Sequence, residues 1–208
     1  MDWVTLTIFL GLVLLALSKY LFSTVFKNFV QLPFNNRYIA MTKKRGRLFS
    51  GFHILVTLFQ LISFTLFIYL SRNSLDHREL TFYPTMLWIV LLLLLGFIVT
   101  KIVLQLANGY FFERPELMRD MIFQKISYFN YSALIAFLGC CYLTYIQTHT
   151  SIAIYVSFGL ILFINFIGLI NAIRNTQKLI MANLFYFILY LCTLEIAPLL
   201  IFYSTIKG

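Results

Sequence analysis

Residues 183–203 read NLFYFILYLCTLEIAPLLIFY, an apolar run that carries one ionisable side chain, Glu195. A helix of about 20 residues crosses the hydrocarbon core of a bilayer. A carboxylate at that depth costs on the order of 3 kcal/mol on insertion scales, so it needs a partner, a proton or a water-filled cavity. The run therefore predicts a transmembrane helix that turns Glu195 toward the other helices of a bundle.

The rest of the chain has the composition of a polytopic membrane protein. Of its 208 residues, 61% are hydrophobic and 11% are charged, whereas soluble domains carry about 25% charged residues. The apolar runs use most of the length, which leaves no room for a separate soluble domain. The net charge is +9, and the basic residues lie beside the apolar runs, where anionic lipid headgroups attract them. This arrangement favours a lipid bilayer, and not a nucleic acid, as the partner.

Six apolar runs predict an all-α fold with six transmembrane helices in one domain, residues 1–208. The runs cover residues 4–22, 50–70, 84–106, 129–146, 152–170 and 181–203. The first, third and fifth loops with their borders hold thirteen Lys and Arg, against three on the opposite side. Loops rich in Lys and Arg stay cytoplasmic. We therefore expect these three loops to be cytoplasmic and both termini to lie on the other side.

Two cytoplasmic segments are predicted to lie at the membrane surface. The first loop contains the basic run Lys43, Lys44, Arg45 and Arg47, which suits contact with anionic lipid or with a partner. The segment after the third span reads ERPELMRDMIFQK over residues 113–125. Its early proline and helical apolar spacing predict an amphipathic interfacial helix. Arg119 and Lys125 on its polar side are further candidate contacts.

Polar side chains inside the predicted spans form the candidate site. Gln60 lies in the second span, Asn165 in the fifth, and Tyr190 and Glu195 in the sixth. Polar groups in hydrocarbon turn toward neighbouring helices, where they form hydrogen bonds. Two roles stay open for Glu195: a protonatable site in a transport path, or a neutral structural carboxyl that docks one helix on another.

Small side chains within the spans indicate helix packing. Gly159 and Gly168 lie in the fifth span, where small residues permit close approach of a neighbouring helix. Cys140, Cys141 and Cys192 lie inside apolar runs without the Cys or His spacing that holds zinc. These cysteines are interpreted as apolar filler, and no metal site is predicted.

No catalytic signature is visible in the sequence. It lacks the G-x-S-x-G and H-E-x-x-H motifs of hydrolases and metalloproteases, and it lacks the glycine patterns that bind nucleotides. The sequence therefore predicts no catalytic residues, no cofactor and a protein that is not an enzyme.

Several segments resemble a known family. DWVTLTIFLGLVLLALSKYLF at the start, FNNRY, LFSGFHILVTLFQLISF, FQKISYFNY and the LEIAP segment around Glu195 are similar to a family of integral inner-membrane proteins of Bacteroidota known only as a domain of unknown function. The resemblance covers nearly the whole chain. It implies a bacterial inner membrane and transfers no catalytic residues. In that membrane the termini, which the charge count puts opposite the cytoplasmic loops, are expected in the periplasm.

Two function classes follow from these observations. In the first, the protein is a non-catalytic accessory or scaffold subunit of a cell-envelope complex, which suits the short loops and the two surface segments. In the second, it is a small transporter or proton-coupled carrier built around Glu195. A stable partner after purification would favour the scaffold, whereas a water-filled cavity that reaches Glu195 would favour the carrier.

Overall fold

A computed structural model describes residues 2–33, 38–39, 51–75, 84–111, 115–146 and 151–180 of the chain. Six helices lie within these ranges, and no strand is found among them. They are α1 (Asp2–Leu21), α2 (Ser23–Val30), α3 (Gly51–Leu75), α4 (Pro84–Phe111), α5 (Pro115–Tyr145) and α6 (Ser151–Ile180).

Four of these helices are long and apolar enough to cross a membrane. The apolar segments are Trp3–Leu21, Gly51–Arg72, Arg119–Tyr145 and Ile152–Ala172. In α4 the described apolar stretch, Leu87–Thr100, is shorter, although the helix covers the whole of the third predicted span. The prediction of a helical protein with several helices that could span a membrane is confirmed for the described residues. The sixth predicted span, residues 181–203, lies outside the described residues.

Helices α3 and α5 form the centre of the bundle. In an apolar stretch of 18 residues within each of these two helices 56% of the residues are buried, compared with 22% in the corresponding stretches of α1 and α6. One core cluster lies between these helices, where the Phe59 ring packs 5.3 Å from the Phe137 ring. Ala133 and Ala136 are buried on this side of α5, where their small side chains take up little space. The outer faces of α1, α4 and α6 are apolar and exposed, as hydrocarbon-facing surfaces are.

The structure does not confirm a separate interfacial helix after the third span. The predicted surface segment and the fourth span belong to one helix, α5, which runs without interruption for 31 residues from Pro115. The predicted start at the proline is correct, but the predicted boundary at Phe129 is not a helix end. Met121 and Ile122 are buried in the bundle, and Arg119 is exposed as expected. At 1.5 Å per residue α5 is about 46 Å long, which exceeds a hydrocarbon core of about 30 Å.

A second core cluster closes the end of the bundle at which α1 meets α2 and α5 begins. Here α2 packs its apolar side on the bundle: the Phe29 ring lies 5.6 Å from the Phe52 ring and 5.8 Å from the Tyr131 ring. Tyr38 and Ile39 of the first loop are also buried there. The polar side of α2, with Lys27, is exposed. We call this the basic end of the bundle.

Helices α5 and α6 approach each other closely at Gly168. A Cβ atom at this position would lie 2.5 Å from Cγ of Tyr128, so no larger residue fits without a shift of the two helices. The expectation of a close approach is thus met at Gly168. It is not met at Gly159, where a Cβ atom would have no neighbour within 4 Å among the described residues.

Candidate functional site

The middle of the bundle contains a layer of neutral polar side chains from three helices. Gln60 of α3 is 1% exposed and lies within two residues of the midpoint of Gly51–Arg72. Its burial agrees with the prediction that it points away from lipid. The other members of this polar layer are Thr57 on α3, Asn130 and Ser132 on α5, and Asn165 on α6.

Asn165 connects α6 to α5. Its side-chain Nδ2 donates to the backbone oxygen of Ile161 at 2.8 Å and to Oγ of Ser132 at 3.3 Å. The hydroxyl of Ser132 in turn donates to the backbone oxygen of Phe129 at 2.7 Å. The amide predicted from sequence to bond across helices therefore does so, and Ser132 is its partner.

Asn130 connects α5 to α3 and was missed by the sequence analysis. Its Nδ2 donates to Oγ1 of Thr57 at 3.3 Å, and its side chain is fully buried. The predicted span began at Phe129, which placed Asn130 at the membrane edge; in the structure it lies within two residues of the midpoint of Arg119–Tyr145. One signal was available: no glycine or proline interrupts the chain between Pro115 and Gly139.

A second polar contact ties three elements together nearer the basic end. Nδ2 of Asn171 on α6 donates to the Tyr128 hydroxyl at 2.8 Å, and that hydroxyl donates to the backbone oxygen of Leu32 at 3.4 Å. Tyr128 is the residue whose ring lies against Gly168. The close approach of α5 and α6 thus brings the Tyr128 hydroxyl to both Asn171 and the residues after α2.

Tyr38 closes the basic end with a buried phenol. Its ring stacks on Phe123 at a centroid distance of 5.9 Å and meets Phe29 edge-on at 5.6 Å. Burial raises the pKa of the Tyr38 hydroxyl well above its usual range, and a hydrogen bond with Ser127 opposes this shift. The phenol is therefore neutral at physiological pH and acts as a hydrogen-bonding group, not as a charge.

The charged side chains that the structure describes lie at the two ends of the bundle and not in the polar layer. Lys19, Lys27, Arg119 and Arg174 are exposed at the basic end, and Arg72 is exposed at the opposite end of α3. Lys125 is partly buried on α5 toward the basic end. Within the described part of the chain, no group of three or more His, Cys, Asp or Glu residues is placed to hold a metal ion.

The structure describes two of the four residues predicted as an intramembrane site. Gln60 and Asn165 both lie in the polar layer, at similar depth on separate helices. Tyr190 and Glu195 lie outside the described residues, as do the basic residues Lys43, Lys44, Arg45 and Arg47. Of the predicted surface contacts, the structure describes Arg119 and Lys125.

A family model described as "Domain of unknown function (DUF4271)" matches residues 4–206. The chain belongs to the DUF4271 family. No curated protein and no solved structure matches it.

The DUF4271 match extends over the polar layer, the basic end and the apolar run around Glu195. Every candidate site residue therefore lies inside the region that defines the family. The match assigns no activity, so the chemistry of the site depends on the geometry of its side chains.

Proposed function

We propose that this DUF4271 protein is a non-catalytic accessory or scaffold subunit of a cell-envelope complex. The observation that carries the proposal is the neutral polar layer, whose amides bond to hydroxyls on neighbouring helices: Asn130 to Thr57 and Asn165 to Ser132. Hydrogen bonds of this kind hold transmembrane helices together. The hydrogen bonds of the described interior keep its helices in place. This supports the scaffold proposal, because a scaffold needs a rigid helix bundle.

The proposed setting is the inner membrane of a bacterium of the Bacteroidota. We propose six spans, with residues 181–203 as the sixth, both termini in the periplasm and the basic end in the cytoplasm. The exposed cations Lys19, Lys27 and Arg174 support this orientation, because they gather at one end of the described bundle. Anionic headgroups are the proposed lipid contact of this end.

The proposed partner surface is also the basic end. Helix α5 is longer than the hydrocarbon core requires, and it begins there with Arg119 exposed. The buried rings of Phe29, Tyr38 and Phe52 give this end a fixed shape. Another membrane-protein subunit would meet a rigid basic surface and would lose little conformational entropy on binding it.

Purification of the full-length chain from its native membranes in mild detergent tests the proposal. We expect a stable partner to co-purify with the wild type and to be lost with Arg119→Glu, which reverses a charge at the basic end. Arg72→Glu is the matched control, because it reverses an exposed charge at the other end and should retain the partner.

The opposite result points to the second function class. A chain that purifies without partners, as a homo-oligomer with a water-filled cavity reaching Glu195, would contradict the scaffold and favour a proton-coupled carrier. In that case Glu195 would be the protonatable group, and the polar layer would line its path.

A further inference from the structure

Buried polar side chains follow the contact between α3 and α5 from the basic end to the middle of the membrane. On α3 they are His53, Gln60 and Ser63, together with the half-buried Thr57, and these four recur at helical spacing along one side of the helix. On α5 they are Gln124, Ser127 and Asn130. We call these seven side chains the polar seam.

Three contacts join α3 to α5 along the polar seam, and one of them links two side chains of the seam directly. The His53 ring lies 5.2 Å from the Phe123 ring, Nδ2 of Asn130 bonds to Thr57, and Sγ of Cys140 donates to the backbone oxygen of Ser63 at 3.7 Å. These contacts advance along both helices together, so α3 and α5 run parallel through the seam. The polar seam therefore follows one helix interface, which the bond between Asn130 and Thr57 crosses.

One oxygen atom in the polar seam has no hydrogen-bond donor among the described residues. Oδ1 of Asn130 is fully buried and unpartnered, although Nδ2 of the same amide is bonded to Thr57. Buried carbonyl oxygens in folded proteins nearly always accept a hydrogen bond. In the middle of a membrane no bulk water is present to bond to an unpaired carbonyl oxygen, so the free-energy cost of the missing hydrogen bond remains.

Polar side chains flank this amide along both helices. Thr57 lies beside the amide, Gln60 follows one turn along α3, and Ser127 precedes Asn130 by one turn of α5. Next to and beyond Gln60 the apolar core begins, with Phe59, Phe64 and Phe137 among its members, and the Ser63 hydroxyl donates to the backbone oxygen of Phe59 on its own helix. A buried water needs two to four polar partners, and the side chains of Thr57 and Gln60 are the candidates beside Asn130.

We propose that the polar seam holds bound water that donates a hydrogen bond to Oδ1 of Asn130. The water accepts from, or donates to, the side chains of Thr57 and Gln60, and the hydration ends at the phenylalanine rings. This site does not depend on the scaffold proposal, because either a scaffold or a carrier contains the same interface. In a carrier it would be the hydrated half of a path, and in a scaffold it would be a structural water.

Solid-state NMR of the full chain in lipid bilayers tests the site, with transfer of magnetisation from water to protein as the readout. We expect the Asn130 side-chain amide to receive water magnetisation about as fast as the side-chain N–H groups of the exposed Arg119, because bound water makes hydrogen bonds to buried polar groups. The backbone amides of Leu66 and Ala136, buried at 1% and 0% exposure, are the dry controls. Water magnetisation that builds up on the Asn130 amide no faster than on these controls would overturn the proposal.

The variant Thr57→Val gives an independent arm, because it removes a hydroxyl and keeps the shape of the side chain. We expect the transfer to the Asn130 amide to fall to the level of Leu66 when this water partner is lost. Transfer that is unchanged in Thr57→Val would show that Thr57 is not a partner of the water and would also overturn the proposal. Conservation of the chemical shifts of Phe137 and Ala136 would show that the variant keeps the fold.

Discussion

At the scale of the residue, Gly168 sets the distance between two helices. A methyl group there would meet Cγ of Tyr128 at 2.5 Å and Cβ of the same residue at 2.7 Å. We therefore predict that Gly168→Ala destabilises the protein by about 1 to 3 kcal/mol, the usual cost of an overfilled interior. The measurement is unfolding in detergent or bicelles.

Gly96→Ala is the control for this prediction. Gly96 lies on α4, and a Cβ atom there has no neighbour within 4 Å in the described structure. The control should unfold like the wild type. Equal stability of the Gly168 variant and this control would contradict the proposed close approach of α5 and α6.

A second prediction at this scale concerns Glu195 and follows from the sequence. Gln keeps the size and hydrogen-bonding capacity of the side chain but does not titrate, whereas Ala also removes the hydrogen bond. If the carboxyl is structural, Glu195→Gln should retain cellular function, and Glu195→Ala should lower the protein level through a loss of about 1 to 3 kcal/mol.

Function and protein level are measured in the same cells for both Glu195 variants. Loss of function in Glu195→Gln at a normal protein level would show that protonation is the mechanism. A harmless Glu195→Ala would remove any special role for this residue.

At the scale of the element, the continuity of α5 is the main correction to the sequence analysis. Ser127 lies at the junction between the predicted surface segment and the predicted fourth span, and in the structure it is buried in mid-helix. We predict that Ser127→Pro destabilises the protein by about 3 kcal/mol or more, because proline removes a helical hydrogen bond and clashes with the preceding turn. The readout is the unfolding midpoint.

Ser127→Ala is the control that measures the contribution of the side chain without changing the helix backbone. It removes the hydrogen bonds of Ser127 with Phe123 and Tyr38 and leaves the backbone intact. It should cost about 1 kcal/mol, the net value of a typical hydrogen bond. A Pro variant no less stable than the Ala variant would show that the helix breaks at this point.

At the scale of the whole molecule, the distribution of charge predicts the orientation in the membrane. The first loop and Arg72 lie at opposite ends of α3, which begins at Gly51 and ends at Leu75. We predict that Lys44→Cys in a cysteine-free chain reacts with a membrane-impermeant thiol reagent only from the cytoplasm. Arg72→Cys should react only from the periplasm, as its paired control. Labelling of position 44 from the periplasm would show that the predicted orientation is wrong.

Much of the fold was predictable from the sequence because each helix is specified locally. An apolar run of about 20 residues must satisfy its backbone groups within itself when no water is present. The ends of α3 and α6 were therefore predicted closely at their N-termini, at Gly51 and Ser151. Charged residues misled the prediction for α5, because Arg119 and Lys125 suggested a surface helix separate from the span, whereas the backbone continues through both.

The partners of the polar side chains were decided by the tertiary structure. Sequence alone indicated that Gln60 and Asn165 would face the bundle, since a polar group in hydrocarbon is costly. It did not indicate that Asn130 would meet Thr57, which is 73 residues away, or that Asn165 would meet Ser132, 33 residues away. Those pairs depend on how far each helix extends and how neighbouring helices are aligned. The alignment comes from packing contacts such as Tyr128 against Gly168, which only the folded bundle contains.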